Sequence, residues 1–88
     1  MTEHLDGNDM LGALAEVFAV DVSAATAPCL NCRQVNVVAE LHVYGGPLAP
    51  GLVARCPGCE SVVMRLVRGP AAAWLDLSGA GAVRIPLP

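Results

Sequence analysis

The sequence contains no lysine, only one residue each of tryptophan, tyrosine and phenylalanine, and no apolar run long enough to span a bilayer. Each shortage excludes something. With aromatics at 3% and hydrophobic residues at 55% of 88 positions, small aliphatic side chains must build the core. All positive charge rests on five arginines, Arg33, Arg55, Arg65, Arg68 and Arg84, against eight acids, for a formal net charge of -3. An acidic chain with scattered arginines is a poor general binder of nucleic acid, because such binding comes largely from neutralising phosphates. The longest nearly apolar stretch, "MLGALAEVFAV", carries Glu16, and no basic n-region precedes it. A secretory leader is therefore not expected, and the protein is read as soluble and cytoplasmic.

A chain of this length has room for one modest core, and domains of this size often depend on metals, disulfides or partners. We expect a single domain over 1–88, with a polar segment at 1–8 and an amphipathic helix at 9–18. Within the helix, Met10, Leu11, Leu14, Val17 and Phe18 recur at helical spacing, with Glu16 on the opposite face. So short a helix is marginal alone, so the stripe packs on the sheet of the same chain or on another molecule, the first being the default.

From Val35 to Tyr44 the period changes to two. Val35, Val37, Ala39, Leu41 and Val43 fall on one face; Asn36, Glu40, His42 and Tyr44 fall on the other, with Val38 the exception. This predicts one continuous strand. "GGPLAPG" ends it, "LVARC" and "SVVMRLV" predict two more strands, and "AAAWLDL" with "AVRIPL" predict a terminal hairpin around "SGAG". The expected class is α+β, a short N-terminal helix with a small antiparallel sheet.

Chemistry concentrates in four cysteines. Cys29 with Cys32 and Cys56 with Cys59 form two CxxC pairs separated by 23 residues. Two sulfurs three apart on a tight turn point at one ion, and two facing turns complete a tetrahedron. Zinc suits four thiolates and needs neither redox chemistry nor an open position. A four-cysteine iron site is chemically possible, and a redox switch by zinc release is a further option. In a reducing compartment the pairing favours metal over disulfide.

His4 and His42 are the other conceivable ligands or bases, and both are expected on solvent-facing positions. No His, Ser, Cys or Asp grouping shows catalytic spacing and no Gly-rich phosphate loop precedes a helix, so an enzyme is not expected. Trp74 is either an interface anchor or a cover for the core, and the core reading is preferred. The arginines are read as serving solubility and contact with the acidic first third, with a nucleic-acid face as the alternative.

The two CxxC pairs flanked by strands resemble the zinc-ribbon superfamily over about residues 27–68. That resemblance implies two knuckles clamping one zinc beside a small antiparallel sheet. Ligation carries over to Cys29, Cys32, Cys56 and Cys59 only; where ribbons commonly have glycine after the second cysteine, this chain has Arg33 and Glu60. Nearly end to end, "LDGN", "LAEVFAVDV", "AT", "LVARCPGC" and "RLVRGPAAAWLDL" resemble a family of short bacterial proteins of unknown function. The resemblance implies no activity. The resulting expectation is a structural zinc in a module that binds a protein partner or itself.

Overall fold

Alternating patterns place most of the strands, and in the computed structural model they form two antiparallel sheets. The structure describes residues 5–6, 10–11, 24–45 and 51–87. The larger sheet has the order β1-β4-β5-β6-β7, from β1 (Leu5–Asp6), β4 (His42–Tyr44), β5 (Gly51–Arg55), β6 (Val62–Arg68) and β7 (Ala73–Asp76). The smaller pairs β2 (Thr26–Pro28) with β3 (Val35–Val37).

Among the described residues the protein is therefore all-β, and the α+β expectation is corrected. Apart from two residues of helical backbone at Met10 and Leu11, the one regular non-strand element there is a 3-10 turn at Val38–Glu40. Of the helix expected over 9–18, only Met10 and Leu11 are described, with helical backbone; the rest lies outside the described residues. Met10 is fully buried and Leu11 packs against the same core, so this part of the stripe lies on the chain's own sheet.

The single strand expected over 35–44 is also corrected. It is broken by the 3-10 turn, because its two halves serve different sheets: β3 pairs with β2, and β4 with β1 and β5. Crossing between sheets shifts the side-chain phase. Leu41 and Val43 are buried as the alternation predicts, but Val35 is 68% exposed, Asn36 is buried, and Val38, the exception to the pattern, is core. A one-residue change of phase exchanges the faces of a strand. The backbone shows where it occurs: Val38 N–H donates to Ala25 O (2.8 Å) and Leu41 N–H to Val38 O (3.2 Å).

β5 and β6 match expectation. Leu52 and Ala54 of β5 face inward, while an irregularity at Ala54/Arg55 lets β6 bury the consecutive residues Val63 and Met64 before Leu66 resumes the alternation. The expected terminal hairpin does not form. β7 pairs instead with β6, and the following chain turns at 78–80 and runs to the small sheet, where Thr26 and Arg84 exchange two backbone hydrogen bonds of 2.9 Å. Met10, Val38, Leu41, Val43, Val63, Met64 and Leu66 fill the space between the sheets with Ala25, Ala27, Ala54 and Ala80. Cys29 and Cys56 are buried at its margin.

Candidate metal centre

Each cysteine pair occupies the turn of a hairpin, Cys29 and Cys32 between β2 and β3, Cys56 and Cys59 between β5 and β6. The two turns are built alike. Cys29 N–H donates to Gln34 O (2.8 Å) and Arg33 N–H to Cys29 O (2.7 Å); Cys56 N–H donates to Ser61 O (2.9 Å) and Glu60 N–H to Cys56 O (2.7 Å). Arg33 at φ 70° and Glu60 at φ 62° both adopt the left-handed conformation. The knuckle geometry expected of glycine is thus formed by non-glycine residues, each at a cost of roughly 1–2 kcal/mol.

The four sulfurs lie within 4.8 Å of one another. The short separations join opposite knuckles: Cys29 to Cys59 and Cys32 to Cys56, each 3.6 Å. A disulfide has its sulfurs about 2.05 Å apart, and all four thiols are free. Tetrahedral bonds of about 2.3 Å put sulfurs about 3.8 Å apart. The cluster therefore has the size of a four-thiolate metal site. Cys29 and Cys56 are buried, Cys59 is half-buried and Cys32 is exposed.

Polar groups around the sulfurs treat them unequally. The Ser61 hydroxyl, followed by its backbone N–H and the Asn31 amide (3.6 Å from Sγ), bring Cys59 down to about 6. Burial pushes Cys56 up, but hydrogen bonds from the backbone of Cys59 and Gly58 and from the Asn36 amide outweigh it, so its pKa is lowered. At Cys32 a backbone hydrogen bond from Gln34 pulls downward, yet desolvation and the three neighbouring sulfurs push it up to about 11. Thiols this close share protons, and a bound cation would take the place of those protons.

Support comes from residues that the sequence did not single out. Leu30 N–H donates to Gly79 O (3.0 Å), tying the first knuckle to the turn after β7. Asn36, on β3, donates to Cys56 Sγ (3.6 Å) from the other sheet. An asparagine within an apolar alternation, "VNVV", was the available signal, but one continuous strand placed it on the polar face. His42 does not join the cluster. His42 Nδ1 lies 3.2 Å from Glu60 Oε1, which also accepts from Tyr44 Oη (3.1 Å), and His4 lies outside the described residues.

Two of the arginines have acidic or aromatic neighbours. Arg55 donates to Glu60 O (2.8 Å) and lies 5.7 Å from the centre of the Tyr44 ring, while Arg65 stands opposite Asp76 in the β6–β7 register. Trp74 does not cover the core. It is 62% exposed, paired across the strands with Val67, which is also exposed.

Fold and site together define a small two-sheet β protein with four cysteines clustered at the spacing of a metal site where its hairpins meet. The chain belongs to the family of unknown function DUF6510, whose sequence model matches residues 1–88. Comparison with curated proteins finds no match, and comparison with solved structures finds none. Among the described residues no helix is long and apolar enough to cross a membrane.

Proposed function

We propose that the protein is a zinc-ribbon module of the cytoplasm, with one structural zinc held by Cys29, Cys32, Cys56 and Cys59, whose role is to bind a protein partner. The observation that carries this reading is the convergence of four sulfurs within 4.8 Å from knuckles on two different sheets. One ion then ties together hairpins that a core of alanine, valine, leucine and methionine holds over a small area. Its binding energy becomes folding energy. An all-sulfur set favours zinc, which tolerates four thiolates and leaves no open position for catalysis.

Exposure of Trp74 beside Val67 supports the partner half of the proposal, since aromatic residues anchor interfaces. The Glu60 carbonyl engages Arg55, and Asp76 stands opposite Arg65 across β6 and β7, which favours a protein surface over a nucleic-acid face. Native mass spectrometry of protein purified without chelator tests the metal. One zinc per chain with four deprotonated thiols is expected; iron, or a metal-free mass lowered by disulfide formation, overturns the zinc assignment.

A further inference from the structure

We infer that Asn36 is a tuning residue of the metal centre, donating an N–H to the Cys56 sulfur to lower its electron density and protect it from electrophiles. The inference rests on the metal reading proposed above and concerns a residue outside the ligand set.

Asn36 is the only buried polar or charged residue among those described, 5% exposed. Burying an amide costs free energy unless its polar atoms find partners. Here its Oδ1 accepts from Gln34 Nε2 (2.6 Å), which orients the amide, and its Nδ2 lies 3.5 Å from Gln34 O and 3.6 Å from Cys56 Sγ. Gly58 N–H reaches the same sulfur at 3.3 Å. Cys56 thus receives two N–H groups, one from its own knuckle and one from the opposite sheet.

Four thiolates around a divalent cation leave two excess negative charges at the edge of an apolar core. A donor aimed at a buried sulfur draws off part of that charge, as second-shell partners do at metal sites. It makes the sulfur a weaker nucleophile and a weaker charge donor to the metal. A leucine of similar size would fill the space without the donor, so packing alone does not require asparagine.

Cobalt(II) as the probe metal gives a readout that a packing role would not move. In the cobalt form of Asn36→Leu, sulfur-to-metal charge-transfer absorption is expected at lower energy, with the d–d bands still tetrahedral. In the zinc form, alkylation of Cys56 by iodoacetamide is expected to rise about tenfold, the scale of one lost hydrogen bond to a charged group. Gln34→Leu, at an exposed position, releases the amide from its orienting partner and is expected to move both readouts the same way by less. Unchanged band energy and alkylation rate in a folded, metal-loaded Asn36→Leu protein would overturn the inference. Should that variant fail to fold, unchanged values in Gln34→Leu overturn it instead. Wild-type protein that binds neither cobalt nor zinc would overturn the metal reading itself.

Discussion

The backbone of Gly79 lies so close to Val62 that a Cβ on Gly79 would stand 1.9 Å from the Val62 carbonyl oxygen and 2.9 Å from Val63 Cα. Both obstacles are backbone of β6, which its pairing with β5 holds in place. Gly79→Ala therefore displaces the turn at 78–80 and weakens the bond from Leu30 N–H to Gly79 O. We expect a loss of about 3 kcal/mol, the upper range for overpacking, together with faster zinc loss to a chelator. An unchanged denaturation midpoint would remove this turn from the support of the site.

Removing a buried ligand has a larger effect. Cys56→Ser takes away a sulfur that is fully buried, and on the proposed metal reading chelation of the wild type takes away the ion. Both are expected to collapse proton NMR dispersion. Retention of native-like dispersion in either case would show that the core alone holds the sheets together.

The left-handed residues ending the knuckles separate strain from contact. At Arg33, exposed and at φ 70°, glycine relieves the backbone, and Arg33→Gly is expected to raise stability by about 0.5–1 kcal/mol. Glu60→Gly relieves the same strain but removes the acceptor for His42 and Tyr44, so it should gain less or lose. Paired urea melts check the order; equal gains would mean that the carboxylate contacts contribute nothing.

Tyr44 is the only tyrosine, so its ionisation is read directly by ultraviolet absorbance. Desolvation, then the hydrogen bond its hydroxyl donates to Glu60, raise its pKa above the ordinary value of 10.0. A phenol whose folded pKa is raised contributes stability that is fully present below its unfolded pKa and is lost as pH rises through the folded one. We expect a midpoint above 10.0 that falls in Glu60→Gln. An ordinary midpoint in the wild type would contradict the Tyr44–Glu60 bond.

Trp74 provides the test of the surface. With 62% of its area exposed, Trp74→Ala is expected to cost less than about 1 kcal/mol of stability. The single indole should emit as a hydrated one and shift to the blue when a partner, or a second copy of the chain, covers it. A blue emission maximum in the dilute monomer would return Trp74 to the core.

How far the sequence reaches is clearest at Cys56 and Asn36. That Cys56 clusters with the other three cysteines was legible because metal geometry restricts which spacings work, and β5 and β6 were legible because apolar runs bounded the second pair. Asn36 was not. Its burial depends on the chain leaving the small sheet within three residues, and period-two alternation carries no mark of that crossing. The exchange of partners by β7 was hidden for a related reason: "SGAG" between two apolar segments reads as a hairpin, whereas Gly79 is there to lie against β6. Local pattern shows that a turn exists; which strand it serves is decided by packing among distant residues.

The contact of Leu30 with Gly79, and of Thr26 with Arg84, also sets an order of events in synthesis. A ribosome makes Cys59 twenty residues before Gly79 and twenty-five before Arg84, so all four sulfurs emerge before the segment on which the first knuckle rests. On the proposed metal reading, an ion captured early would be held by one anchored hairpin and one still unanchored. Arrival of residues 79–84 would then lock that hairpin, so the nascent chain would be more permissive toward the choice of ion than the finished protein.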